Sequence, residues 1–171
     1  MGRIRQLNTT PEGVINRGFL EWAMSIEKIA VLGAGQMGNG ITQVAACAGY
    51  TVTMIDIQQE YVDNGMSTIS KSLSKLVSKE RMTQADADAA LSRISVSVDR
   101  ASAADADLVV EAIPEIPDLK FSTFAELDTI CKKDAILASN TSSISINEIA
   151  AATSRPNKVI GMHFMNPVPI M

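Results

Sequence analysis

The segment Gly33-Ala34-Gly35-Gln36-Met37-Gly38 constrains this chain more than any other. It follows residues 27–32, which end in an apolar run, and opens a stretch with apolar residues at Met37, Ile41, Val44, Ala45 and Ala48, which is helical spacing. A second β-branched run, 51–56, ends in Asp56. Strand, glycine turn, helix, strand is a βαβ crossover. Each glycine has its own reason. Gly33 permits the tight turn, Gly35 lets a pyrophosphate approach bare backbone, and Gly38 lets helix and strand pack closely. The helix N-terminus then presents free N–H groups and a positive dipole end to phosphate. Ala34, Gln36 and Met37 fill the turn between the glycines and belong to the same candidate cofactor site.

Asp56 lies 56 − 38 = 18 residues after the third glycine, near the roughly 20 expected of an acid that binds a ribose 2′-hydroxyl. A carboxylate there repels a 2′-phosphate. Gln58 and Gln59 follow, with no neighbouring arginine, so NAD is favoured over NADP. Methyltransferases also pair a glycine-rich loop with a ribose-binding acid, so these residues alone define an adenosine cofactor more firmly than a reaction.

The rest of the chain repeats the alternation. Residues 58–93 read as a long helical pair, with Thr83 and Asp86 as a capping box for the second helix. Strands are expected at 95–98, 107–113, 135–139 and 158–164. Helices are expected at 119–130, with a stripe of Leu119, Phe121, Phe124, Leu127 and Ile130, and from Ser145 to about Ala152, capped by Ser145 with Glu148. The fold class is α/β, a Rossmann-type doubly wound parallel sheet with a helical-pair excursion after the second strand.

Other features narrow the function. A net charge of −4 with 4% aromatics argues against nucleic-acid binding. No apolar run approaches the roughly 18–20 residues that span a bilayer. The cysteines, Cys47 and Cys131, lie in no metal or disulfide spacing and read as reduced thiols packed like small apolar residues, which fits a cytoplasmic protein. Residues 1–23 lack a signal-peptide core and read as a leader or extension with poor order. The NAD-binding domain is then 24–171.

A second group of residues carries possible chemistry. Ser142 sits in a Ser/Thr/Asn run after a strand, His163 is the only histidine, and Asn166 precedes Pro167. All lie at the carboxyl ends of expected strands, where open α/β sheets bind ligands. His163 suits proton transfer near neutral pH, or else is a buried structural histidine. Ser142 and Asn166 suit hydrogen bonding to a substrate oxygen, or else plain turn chemistry. A serine hydrolase is disfavoured, because no G-x-S-x-G elbow exists.

The segments GAGQMGNGI, DLVVEA, ILASNTSS and IGMHFMNPVPIM, in this order and spacing, resemble the 3-hydroxyacyl-CoA dehydrogenases, and among them the bacterial 3-hydroxybutyryl-CoA dehydrogenases. The resemblance covers about residues 26–171. It implies NAD-dependent interconversion of a 3-hydroxyacyl-CoA and a 3-oxoacyl-CoA, with His163 as general base or acid and with Ser142 and Asn166 beside the reacting oxygen. It places Glu115 and Lys120 along the cofactor and substrate cleft. It makes Ser72 and Lys79 candidates for contact with coenzyme A. It also implies that the 171 residues stop before a glutamate that orients the family's histidine, and before a helical domain that closes over acyl-CoA and forms the dimer. Little activity is then expected of this chain alone. Self-association is expected through Phe164, Met165, Val168, Ile170 and Met171. The alternative is a stand-alone dinucleotide-binding module with a sensing or partner role. A related hydroxyacid dehydrogenase with another substrate is a weaker reading.

Overall fold

The computed structural model describes residues 26–171. The leader reading for residues 1–23 lies outside the described residues. Six parallel strands run in the order β3-β2-β1-β4-β5-β6: β1 (Lys28–Leu32), β2 (Thr51–Ile55), β3 (Ile94–Ser97), β4 (Leu108–Glu111), β5 (Ile136–Ser139) and β6 (Val159–Gly161). That is the doubly wound order that reverses between β1 and β4.

The central strands β4 and β5 are buried throughout, and so is β1 after its first residue. Parallel strands with helices on both faces read as continuous apolar runs for this reason. Alternate side chains feed two cores. Ile29, Val31, Val110 and Ala138 join the core under α1 (Gln36–Cys47), α2 (Gln59–Ser78) and α3 (Gln84–Ser92). Ala30, Leu32, Val109 and Leu137 join the opposite core, with Phe124 and Leu127 of α4 (Pro117–Ile130) and Ile149 of α5 (Ile146–Ala151).

The helical pair after β2 is present as α2 and α3. Thr83 caps α3, accepting the Asp86 N–H at 3.1 Å and donating to its carboxylate at 2.7 Å. Ser145 differs from expectation: α5 forms, but the serine side chain makes no capping bond. The stripe on α4 is also shifted. Its buried positions are Lys120, Thr123, Phe124 and Leu127, with Leu119 and Phe121 only half-buried. Lysine takes a core position because its ammonium is paired beneath the helix.

The last strand is shorter than 158–164. After Gly161 the chain leaves the ladder, because the N–H of Phe164 turns to a side chain, Oδ1 of Asn140, at 2.7 Å. The expected C-terminal apolar surface is only partly there. Val168 packs inward, against α1, and Phe164 is half-buried. Met165, Ile170 and Met171 remain exposed. Gly40 makes room for Val168, since a Cβ there would sit 2.9 Å from the Val168 side chain. Of the two cysteines, Cys131 is buried as expected, and Cys47 is exposed at the end of α1. Among the described residues no helix is long and apolar enough to cross a membrane.

Candidate active site

Two adjoining clefts open at the carboxyl ends of the strands. The larger, about 680 Å³, is lined by Gly33, Ala34, Gly35, Gln36, Met37 and Asp56, with Ile113 and Leu119 on the far side. The smaller, about 310 Å³, is lined by Glu115, Lys120, Asn140, Ser142, His163 and Asn166. Met37, Ala112 and Ile113 belong to both walls, so the clefts meet there.

The glycine turn has the geometry its spacing requires. Gly33 has φ +98°, and a Cβ there would meet Ala112 O at 2.5 Å. A Cβ on Gly38 would lie 1.7 Å from Gly33 O, so only hydrogen lets α1 start this close to the turn. Gly35 is the opposite case: an added Cβ meets nothing within 4 Å. Its bareness serves no packing among the described residues and leaves open cleft beside a helix N-terminus, a cradle of the shape a pyrophosphate fits. Asp56 accepts the N–H of Ala34 at 2.7 Å and that of Ile57 at 2.7 Å. It therefore ties the end of β2 to the glycine turn and keeps the carboxylate on the cleft wall.

Beneath the smaller cleft lies a network built on a residue the sequence reading left out. Glu111, fully buried at the end of β4, receives Lys120 Nζ at 2.6 Å on one oxygen and Ser139 Oγ at 2.6 Å on the other. The Ile113 N–H reaches the same carboxylate at 2.8 Å. Lys120 is 1% exposed and also contacts Glu115 at 3.1 Å. Glu115 in turn accepts from the hydroxyls of Thr141 and Ser143 and from the backbone N–H of Ser142 at 3.2 Å. Burial pushes the Glu115 carboxyl up, but the donors Thr141, Lys120 and Ser143 outweigh it and hold its pKa down to about 2. Glu115 is therefore a fixed anion that shapes the loop carrying Ser142. The sequence signal for Glu111 was an acid closing an apolar strand, since a charge in such a place needs a partner.

His163 lies just past β6. The neighbouring backbone is held on both sides: Met162 N–H donates to Ser139 O at 2.8 Å, and Phe164 N–H to Asn140. The imidazole is exposed and lines the cleft, which removes the buried structural reading. Ser142 and Asn166 are exposed on the same cleft. Ser72 and Lys79 are not brought there. Ser72 is half-buried on α2, Lys79 is exposed at its C-terminal end, and neither lines the two clefts.

A parallel sheet in this order, with an open glycine turn and a carboxylate ending the second strand beside it, is a Rossmann-type nucleotide-binding domain. The family comparison makes the assignment specific. The profile of the 3-hydroxyacyl-CoA dehydrogenase NAD-binding domain matches residues 28–171, and the chain belongs to that family. It is 49% identical over 148 residues to a probable 3-hydroxybutyryl-CoA dehydrogenase of Bacillus subtilis, covering 86% of this chain and 52% of the relative. It is 51% identical over 144 residues to another from Deinococcus radiodurans, covering 84% and 51%. The crystal structure of (S)-3-hydroxybutyryl-CoA dehydrogenase from Ralstonia eutropha superposes with a TM-score of 0.84 at 46% identity, covering 86% of this chain and 52% of that one. The chain thus spans about half the length of the relatives it matches.

Proposed function

We propose that this chain is the NAD-binding part of an enzyme that interconverts 3-hydroxyacyl-CoA, in particular 3-hydroxybutyryl-CoA, and the 3-oxoacyl-CoA. The observation that carries it is the shared wall of Met37, Ala112 and Ile113, which sets the His163 cleft directly against the glycine cradle. Bound NAD supplies a hydride acceptor. The residues do the rest. Residues Gly33 to Gly38 and Asp56 hold the cofactor, with Glu115 and Lys120 beside it. His163 takes the proton from the substrate hydroxyl during oxidation and returns it to the oxygen in the reverse direction. Ser142 and Asn166 hydrogen-bond that oxygen and aim it at the imidazole.

The domain is proposed to begin near residue 24, with 1–23 an extension, and the protein to be cytoplasmic. No carboxylate among the described residues hydrogen-bonds His163. An imidazole without such a partner is held in no single orientation. Turnover by the 171 residues alone is therefore expected to be weak. The exposed Met165, Ile170 and Met171 favour self-association. Ser72 and Lys79 remain candidates for coenzyme A contact only if that ligand reaches along α2.

The test is NADH binding by the 171-residue chain, followed by acetoacetyl-CoA reduction after joining the chain to the second half of a bacterial relative. His163→Ala in the joined protein is expected to lower kcat by at least about 10²-fold. Unchanged turnover would remove His163 from the chemistry. Absent NADH binding would remove the dehydrogenase reading.

A further inference from the structure

No arginine lies next to Asp56 in sequence, but the sheet delivers one. β3 is the neighbour of β2, and the Asp56 N–H donates to Ser97 O at 3.2 Å, so the two strand ends are stitched together. Just beyond, Asp99 caps a 3₁₀ turn, Arg100–Ala103, by accepting the Ala101 N–H at 2.9 Å. Arg100 thereby lines the dinucleotide cleft with Asp56 and Ile57. The same three residues, with Val98, also wall a smaller recess of about 60 Å³ at that end. The guanidinium is ion-paired to Glu126 of α4, with Arg100 29% and Glu126 44% exposed.

Opposite charges therefore share the ribose end of one cleft. The Asp56 carboxylate is fixed by two backbone N–H groups and cannot swing away without losing them. It accepts from a 2′-hydroxyl and repels a 2′-phosphate. Arg100 favours the phosphate, because a guanidinium offers a planar fork of donors matched to phosphate oxygens. Glu126 lies outside the cleft wall and competes for that fork.

We propose that Arg100 is a cofactor-specificity residue: it gives the ribose end a phosphate-binding cation, which Asp56 outweighs and Glu126 partly neutralises. Discrimination against NADP then rests on a balance of charges rather than on the lack of a cation. The proposal rests on the dinucleotide reading of the cleft.

The experiment is fluorescence titration of the 171-residue chain with NADH and with NADPH, read as the ratio of the two Kd values. Asp56→Asn is expected to lower the NADPH-to-NADH ratio about tenfold, the scale of one charge-assisted hydrogen bond gained and one repulsion lost. Adding Arg100→Met to Asp56→Asn is expected to reverse that gain. Glu126→Gln alone is expected to lower the ratio a few-fold, and the effect should shrink at high salt, as for exposed charges. A ratio that ignores Arg100→Met in the Asp56→Asn background overturns the proposal. Should Asp56→Asn not fold, Arg100→Met and Glu126→Gln in the parent must move the ratio up and down respectively, and equal ratios overturn it. A parent chain that binds neither nucleotide defeats the dinucleotide reading and this proposal together. A parent that binds NADH with a ratio insensitive to Arg100 defeats only the latter.

Discussion

Asn140 Oδ1 accepts the backbone N–H of Phe164 at 2.7 Å, so the loop after β5 holds the residue next to His163. The bond joins the segment carrying Ser142 to the segment carrying the imidazole, and it replaces the ladder pairing that β6 gives up. Asn140→Ala is expected to cost about 1 kcal/mol, the net worth of one such bond. The more telling effect is on order. His163 is the only histidine of the chain, so its ring signals in a proton–nitrogen NMR spectrum can be followed singly. They are expected to broaden or shift in Asn140→Ala, and unaltered signals would show that the bond does not position the imidazole.

Gly35 and Gly38 separate binding from folding. Gly35→Ala meets no atom within 4 Å, whereas Gly38→Ala drives a methyl to 1.7 Å from Gly33 O. Gly35→Ala is expected to keep the parent's urea midpoint and lose most NADH affinity, because the methyl occupies space for the pyrophosphate. Gly38→Ala is expected to destabilise the chain outright, by about 3 kcal/mol or more, on the scale of severe overpacking. Equal effects of the two on the unfolding midpoint would contradict the cradle.

The Glu111–Lys120 pair is costly to break and cheap to replace. Glu111→Ala leaves a buried ammonium with only Glu115 at 3.1 Å and the Ile113 carbonyl at 3.3 Å as partners. A loss of about 3 kcal/mol is expected, at the lower end for breaking a buried pair. The double variant Glu111→Leu with Lys120→Met should lie closer to the parent than Glu111→Ala does, since both charges leave together. Urea unfolding of the parent and these two variants reads this directly, and a double variant no closer to the parent than Glu111→Ala would show that the pairing of the two charges is not what the single change breaks.

Acid should weaken the fold in a defined window. Burial pushes the carboxyls of Glu115 and Asp107 up, but their hydrogen bonds prevail and bring both to about 2, from ordinary values of 4.5 and 3.8. For Asp107 the donors are Lys132 and the backbone N–H groups of Glu27 and Lys28. A folded-state pKa below the unfolded value stabilises the protein above the unfolded value, and that contribution is lost as pH falls through the folded one. The urea midpoint is therefore expected to hold above about pH 4.5 and to decline from there toward pH 2. Glu115→Gln should flatten part of the decline. The parent slope retained in that variant would exclude Glu115 as a contributor.

The first βαβ unit could be read in the chain because its constraints are local. A positive φ at Gly33, a missing Cβ at Gly38 and an acid ending the next strand each act over a few residues, and such restrictions appear as residue choice. The central strands followed for a similar reason: β1, β4 and β5 are buried on both faces, so nearly all of their positions are apolar. The extent of β6 did not follow, because its end depends on whether Phe164 pairs with a strand or with the Asn140 side chain, 24 residues away. The inward packing of Val168 is similar, since it needs the gap over Gly40 on another element.

The candidate site divides along the same line. Gly33, Gly35, Asp56, Ser142, His163 and Asn166 were open to recognition as residue types after strands, and the fold gathers them into two touching clefts. Glu111, Asn140 and Arg100 instead meet partners on other segments, Lys120, Phe164 and Glu126. The amino-acid sequence by itself determined the parallel sheet and the glycine turn, because hydrophobic period and glycine sterics are properties of short segments. Tertiary structure alone decided which charges meet. A buried carboxylate survives only where a cation reaches it, and that meeting depends on how the sheet orders its strands.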